Sequence, residues 1–250
     1  MLNIVMPIAG LGSRFLQAGY TAPKPLIPVH GVPMIEAVIT NIRPSTGHRF
    51  IFLALAEHLE GSQLRQVLES AAPGCVVVPV DRVTEGAACT VLLARQLIDT
   101  SDSLMIANCD QWVDIGIDDY LAAMERAQAD GLIMTMRADD PKWSFVGFDE
   151  HHRITCVVEK KVISDEATVG IYNFRAGSAF VRAADAMIAK NLRVNGEFYV
   201  APVYNELIEA GARLTVFNVG REFDGMYGLG TPADLERFLS LPISHRAATV

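Results

Sequence analysis

Two glycines, an arginine and a lysine near the start of this 250-residue chain have the types and spacing to hold phosphate. Ala9-Gly10-Leu11-Gly12-Ser13-Arg14-Phe15 follows an apolar run. Glycines let a backbone approach a phosphate chain closely, and the exposed N–H groups of such a loop can bind its oxygens. Arg14 adds a planar cationic fork. In Pro23-Lys24-Pro25-Leu26-Ile27-Pro28, three prolines stiffen the segment around one lysine and hold its ammonium in place. Together these residues describe a cradle for several phosphates. Neither common glycine-loop pattern is met. Phe15 stands where a dinucleotide fingerprint has its third glycine, and no Gly-Lys-Ser/Thr follows at P-loop spacing.

Asp110, in Asn108-Cys109-Asp110-Gln111, falls just past the apolar run 104–107. That is the carboxyl end of an expected strand, where open α/β sheets place their ligands. An aspartate that caps the following segment also fits this position. Thr84-Glu85-Gly86-Ala87-Ala88 opens an expected helix, and Glu159-Lys160 ends an expected strand, where a lysine can also be simply solvated. His151 and His152 fall in a turn and read as solvated. No Ser/His/Asp set and no pair of acid/base carboxylates is apparent.

The elements that must position these residues alternate. Apolar β-rich runs at 3–7, 49–56, 75–80 and 104–107 are separated by helical spacings, including one opened by Pro33 and one over 86–98. Strands separated by helices imply parallel pairing and a three-layer sandwich. After about residue 112 the rhythm changes to strands at 131–136, 143–148, 153–159, 169–174 and 213–219, with helices near 117–124, 180–188, 200–208 and from 232. The expected fold is α/β, a three-layer α/β/α sandwich on a mixed, mostly parallel central sheet. Residues 1–250 read as a single domain with a nucleotide-binding half (1–112), an acceptor half (113–240) and a loose tail (241–250).

Composition narrows the function classes. Half of the residues are hydrophobic, so a core is affordable, and the net charge is −8. Without a basic patch, nucleic acid and anionic membrane surfaces are not expected partners. No apolar run approaches the roughly 18–20 residues a membrane span needs, and the start has no basic region of a secretory leader. Four dispersed cysteines read as small buried hydrophobes in a reduced cytoplasm. Met6, Met34, Met105, Met134 and Met136 read as core.

Gly10-Leu11-Gly12-Ser13-Arg14-Phe15 with Pro23-Lys24-Pro25-Leu26 resembles the signature of the sugar-phosphate nucleotidyltransferases, or nucleotide-sugar pyrophosphorylases, of Rossmann-like, GT-A-like fold. The resemblance covers nearly the whole chain. Asn108-Cys109-Asp110-Gln111, the stretch 164–172, Asn195-Gly196-Glu197-Phe198-Tyr199-Val200 and Gly228-Leu229-Gly230-Thr231-Pro232 are similar to a bacterial subgroup tied to capsule or lipopolysaccharide genes. The resemblance implies transfer of NMP from an NTP to a phosphorylated small molecule, with release of pyrophosphate and Mg²⁺ as cofactor. CTP is slightly favoured on the subgroup likeness alone, and the acceptor is a sugar phosphate or a phosphorylated amino acid or alditol. A homo-oligomer is compatible with this.

The resemblance also implies roles. Ala9, Gly10, Leu11, Gly12, Ser13, Glu85, Gly86, Ala87 and Asn108 would hold the nucleotide. Arg14, Lys24 and Asp110 would be catalytic, with Asp110 on the metal. Glu159, Lys160, Gly170 and Glu197 would hold the acceptor, with Lys161 as the neighbouring candidate if the register slips. The sequence departs from the family at Gly228, where many members carry a second metal-binding aspartate. Asp224 could substitute only if the loop folds back. Two other classes stay open: a GT-A glycosyltransferase consuming a nucleotide-sugar, and a non-catalytic nucleotide-sugar-binding protein.

Overall fold

The structure, a computed structural model, describes residues 1–249. The first part of the chain forms β1 (Leu2–Pro7), α1 (Ser13–Gln17), a 3₁₀ turn (Lys24–Leu26), β2 (Pro28–Val29), β3 (Val32–Pro33), α2 (Met34–Ile42), β4 (His48–Leu55), α3 (Ala56–Glu60), α4 (Leu64–Ala71), β5 (Val76–Val80), α5 (Ala87–Leu92), α6 (Arg95–Ile98), β6 (Ser103–Ala107) and β7 (Gln111–Val113). The remainder forms α7 (Ile117–Arg126), β8 (Gly131–Arg137), β9 (Ser144–Phe148), β10 (Ile154–Glu159), β11 (Glu166–Phe174), α8 (Gly177–Ala189), α9 (Val203–Glu209), β12 (Leu214–Glu222), β13 (Gly225–Gly228), α10 (Pro232–Leu239) and α11 (Ser244–Ala247).

Strand periodicity separates two cores. Successive side chains on a strand point to opposite faces. In β4, Phe50, Phe52 and Ala54 enter the core under α2 and α4, while Ile51, Leu53 and Leu55 enter the one under α5, α8 and α9. β1 divides in the same way, with Ile4 and Met6 against Val5. Both faces are therefore apolar, which is why these strands read as near-continuous hydrophobic runs. The five methionines expected in the core are all fully buried.

The sheet runs β5-β4-β1-β6-β11-β8-β12-β13-β7, with β9 and β10 branching from β11. The first four strands pair in parallel, as expected. β11 then enters antiparallel to both β6 and β8, and β12 is parallel to β8. This order positions the site. β1 and β6 are neighbours pointing the same way, so the loops after Pro7 and Ala107 emerge side by side. β11 running back along β6 brings Gly170 opposite Asn108, whose N–H donates to the Gly170 carbonyl at 3.0 Å.

Local expectations fail in three places. The helix expected over 86–98 is two helices, because the N–H groups of Leu93 and Ala94 turn to carbonyls three residues back and tighten the chain there. The short strands β7 and β13, which pair with each other, carry too few residues for a periodic signal. Residues 241–249 of the expected tail are not loose, and Val250 lies outside the described residues. Ser244 is fully buried and bonds His30 at 2.7 Å, and the His30 and His245 rings stack 4.2 Å apart.

Candidate active site

The glycine loop leaves β1 and is tied at its start by Ile8, whose N–H donates to Leu53 at 2.8 Å. Gly12 has φ +63, the left-handed conformation that turns the chain into α1. A Cβ on Gly12 would lie 3.1 Å from Cβ of Lys24, so the glycine also makes room for that residue. Phe15 is buried and packs edge-on against Tyr20, which fixes α1 beneath the loop. Gly10, Gly12, Ser13 and Arg14 line a cavity of about 360 Å³ together with Lys24 and Asp110. Ala9 lies buried under the loop, and Leu11 points out the other way, half exposed, toward His58.

Lys24 sits in the 3₁₀ turn between prolines and forms an ion pair with Oδ2 of Asp110. Burial opposes the lysine's charge, but the charge and hydrogen bond of Asp110 outweigh it, and the pKa lies above that of an ordinary lysine. Burial pushes the adjacent Cys109 thiol up to about 11, so it stays protonated. Gly230 closes over the pair: a Cβ there would fall 2.7 Å from Oδ2 of Asp110. Leu229 N–H donates to the Asp110 carbonyl at 2.7 Å, which holds the 228–231 loop against it.

A second cavity of about 760 Å³ adjoins the first. Arg14, Asn108, Asp110 and Gly230 border both. Glu159, Lys160, Gly170 and Glu197 all line the second cavity, and Lys161 lines neither. Glu159 accepts a hydrogen bond from the Ser144 hydroxyl. Burial raises its pKa, Ser144 and Lys160 oppose the rise, and Glu197 adds to it. Lys160 donates to the Tyr199 phenol at 2.6 Å and stands 4.7 Å above that ring. The Tyr199 bond is the main reason its pKa lies above normal.

Residues 3–201 match the model of a family described as nucleotidyl transferase. The chain belongs to the nucleotidyl transferase family. The enzyme class and the Rossmann-like α/β fold expected from the sequence stand. Among solved structures, a nucleoside-diphosphate-sugar pyrophosphorylase from Vibrio cholerae is 26% identical with a TM-score of 0.78, covering 96% of this chain and 100% of that one. A putative glucose-1-phosphate thymidylyltransferase from Bacillus anthracis is 19% identical at a TM-score of 0.75, covering 100% of this chain and 96% of that one, and shares the fold. The bifunctional protein GlmU of Burkholderia multivorans is 27% identical over 248 residues. That match covers 94% of this chain but only 51% of the relative, so the chain spans about half the length of the curated proteins it matches.

Nucleotidyl transferases of this kind generally use a divalent metal. Among the described residues, no three His, Cys, Asp or Glu side chains cluster into a metal cage. The donors at hand are Asp110, engaged by Lys24 through one carboxylate oxygen, and Asp234 on the wall of the larger cavity. That set fits a cation that keeps several waters and substrate phosphate oxygens and takes one or two protein carboxylates, which is how Mg²⁺ binds. Asp224 is not part of it. It is exposed at the far end of β13 from Gly228, and β13 is extended along β7, so the loop does not fold back. The expectation for Asp224 is corrected on that geometry.

Two further differences concern this nucleotidyl transferase. Glu85, Gly86 and Ala87 line neither cavity. The space beside Gly86, which has φ +128, holds the backbone of Phe198: a Cβ would lie 2.4 Å from its carbonyl oxygen. Phe198 N–H donates to Glu85 and its carbonyl accepts from Ala88, while Arg193 pairs with Glu85 at 3.0 Å. These residues thus clasp the segment that carries Glu197 and Tyr199. The sequence reading also passed over Tyr199, Trp143, Ser144 and Asp234. Their only signal was proximity to quoted stretches, and the role of Gly230 was visible only as a glycine in Gly228-Leu229-Gly230.

Among the described residues, no helix is long and apolar enough to cross a bilayer.

Proposed function

We propose that this protein transfers a nucleoside monophosphate from an NTP to the phosphate of a small acceptor and releases pyrophosphate. The observation that carries this reading is the junction of the two cavities at Arg14, Asn108, Asp110 and Gly230, with the Lys24–Asp110 pair at the seam. One cavity has the phosphate loop and the other has Lys160 and the carboxylates, so two substrates can meet at one phosphorus.

The acceptor's phosphate oxygen attacks the α-phosphorus, a new P–O bond forms, and the bond to the bridging oxygen of the departing pyrophosphate breaks. That oxygen is already anionic near pH 7, so no general base is needed, and the absence of a Ser/His/Asp set has a chemical reason. Rate must come from alignment and from preorganised charge. The Gly10–Gly12 backbone and Ser13 hold the triphosphate, Arg14 neutralises the leaving group, and Lys24 stands between the α-phosphate and the attacking oxygen. Asp110 would hold Mg²⁺, and the ion when bound would offset α-phosphate charge. Lys160, fixed by Tyr199, draws in the acceptor phosphate beside Glu159, Gly170 and Glu197. Asn108 braces the seam, and Glu85, Gly86 and Ala87 act at one remove, through their clasp on Phe198 between Glu197 and Tyr199.

CTP as the nucleotide, a sugar, alditol or amino-acid phosphate as the acceptor, and a role in bacterial surface polysaccharide precursors remain part of this proposal. So do a cytoplasmic setting, which the four free cysteines support, and the division into halves at about residue 112. A matrix of four NTPs against phosphorylated sugars, alditols and amino acids, read by pyrophosphate release, tests it. Release that needs both substrates is the expected result. Turnover of a nucleotide-sugar instead would assign a glycosyltransferase, and nucleotide-sugar binding with no turnover of any pair would assign a binding protein.

A further inference from the structure

One arginine outside both cavities organises a single loop. Arg193 donates from Nε to Oδ1 of Asn191 at 2.7 Å, from Nη1 to the Gly196 carbonyl at 3.1 Å and from Nη2 to Oε2 of Glu85 at 3.0 Å. Its guanidinium also lies 4.1 Å from the centre of the Phe198 ring. Contacts in so many directions need the planar fork of an arginine, whereas a lysine ammonium is a point charge on a flexible stem. Arg193 lines neither cavity, and the mechanism above gives it no task.

The loop it holds is a small hairpin. Val194 and Glu197 exchange N–H···O bonds at 3.0 Å across Asn195-Gly196, whose φ values of +50 and +82 are those of the tight turn that Asn-Gly favours. One such bridge is too little to keep a hairpin in place by itself. Docking comes from Phe198, which is buried and bonded through its backbone to Glu85 and Ala88, and from Arg193, which ties Asn191 and Gly196 to Glu85. With Phe198 buried, its two neighbours Glu197 and Tyr199 both stand in the wall of the larger cavity. Tyr199 in turn accepts from Lys160 at 2.6 Å. Lys160 has φ +56, a backbone conformation that a residue with a side chain keeps only when its surroundings support it. A chain of contacts therefore runs from Arg193 through the hairpin to the Lys160 ammonium.

We propose that Arg193 is a positioning residue: by locking the 191–199 hairpin it keeps Tyr199 where that phenol fixes Lys160 for an acceptor phosphate. Naming the phosphate as the acceptor's rests on the nucleotidyl-transfer reading, whereas the positioning does not. Arg193 acts through Tyr199 and not by its own charge. Once the hairpin is released, the Lys160 ammonium must be ordered at the moment phosphate binds, and that ordering weakens binding.

Calorimetry of the full chain with inorganic phosphate as the probe tests this. The heat lost in Lys160→Met marks the binding that belongs to the larger cavity and separates it from binding at the glycine loop. Arg193→Met should weaken that binding about tenfold, the scale of one charge-assisted hydrogen bond. It should melt close to wild type, as substitutions of surface residues usually do. Arg193→Lys should bind as weakly as Arg193→Met, because it keeps the charge and loses the fork; it carries the same test if the methionine variant does not fold. Tyr199→Phe keeps the ring and removes the oxygen that holds Lys160, so adding Arg193→Met to it should weaken binding little further. With an active pair of NTP and acceptor, the acceptor KM should rise in Arg193→Met while the NTP KM and kcat hold. Four results would each overturn the proposal: no phosphate heat that depends on Lys160, wild-type affinity in Arg193→Met, recovery in Arg193→Lys, and full additivity with Tyr199→Phe. Weakened phosphate binding in the variants without pyrophosphate release from any NTP mixture would uphold Arg193 and sink the transfer reaction. Pyrophosphate release that the variants leave unchanged would do the reverse.

Discussion

Lys24 and Asp110 stand 86 residues apart in the chain and form an ion pair at the seam of the two cavities, with 18% and 17% of their side chains exposed. Each is the other's main charge partner in a largely dry place, so neither can be removed without consequence for the other. Lys24→Met should therefore do two things. It should lower the melting temperature, since the Asp110 charge is left buried and unpaired. It should also cut turnover by roughly 10²–10³, the usual effect of losing one charge-stabilising group. Adding Asp110→Asn should restore the melting temperature but not the rate. Scanning calorimetry and pyrophosphate release check the two halves separately, and an unchanged kcat would remove Lys24 from the reaction.

Gly12 is constrained twice, by its left-handed backbone and by Lys24. Gly12→Ala should strain the turn and push Lys24 by a few tenths of an ångström, with a loss of roughly 1–2 kcal/mol in stability. Gly12→Val adds a branched side chain where the phosphates must lie and should abolish NTP heat in calorimetry while circular dichroism stays native. Normal NTP affinity in Gly12→Val would mean that the phosphate loop lies elsewhere.

The metal assignment turns on one carboxylate. Asp110→Asn keeps the shape and loses the charge, so the Mg²⁺ concentration for half-maximal rate should rise at least about tenfold. Asp224→Asn should leave that concentration unchanged, because Asp224 is exposed at the far end of β13. A Mg²⁺ titration of both variants decides it. A shift with Asp224→Asn would require the 223–228 segment to rearrange when substrate binds.

Glu159 makes stability depend on pH. Folding raises its pKa above the ordinary value of 4.5, chiefly by burial. A carboxyl with a raised pKa contributes its stability below the unfolded value and loses it as the pH climbs through the folded value. Glu159→Gln should thus match wild type in melting temperature near pH 4 and exceed it at pH 7–8, by about 2–4 °C for each 1 kcal/mol recovered. Its acceptor KM should rise at the same time, a stability gain set against function. Melting curves across pH give the first result. A difference that does not vary with pH would mean that the carboxylate is not strained by burial.

Much of the phosphate cradle could be read from residues 9–25, because its chemistry is local: glycines set the turn, prolines set the lysine, and all lie within a short stretch of chain. Asp110 was readable for a related reason, as the first carboxylate after an apolar strand. The long strands β1, β4 and β6 announced themselves because both of their faces are buried. Gln111 was legible only as the end of Asn108-Cys109-Asp110-Gln111, and that it shares a cavity wall with Trp143 was decided by the tertiary structure.

Sequence by itself determined the periodic elements, the glycine turn, the proline-flanked lysine and the family, since repeat spacing and turn chemistry depend on neighbours a few residues away. Tertiary structure alone decided that Lys24 meets Asp110, that Phe198 fills the space beside Gly86, and that Ser244 packs the tail against His30. It also decided that Asp224 lies exposed at the far end of β13 from Gly228. Those outcomes follow from strand order. β11 enters antiparallel beside β6, and β13 pairs with β7, and this order sets which distant loops share an edge of the sheet. A sequence pattern carries the period of each strand but not the identity of its neighbour, because side-chain alternation is the same whichever strand lies alongside.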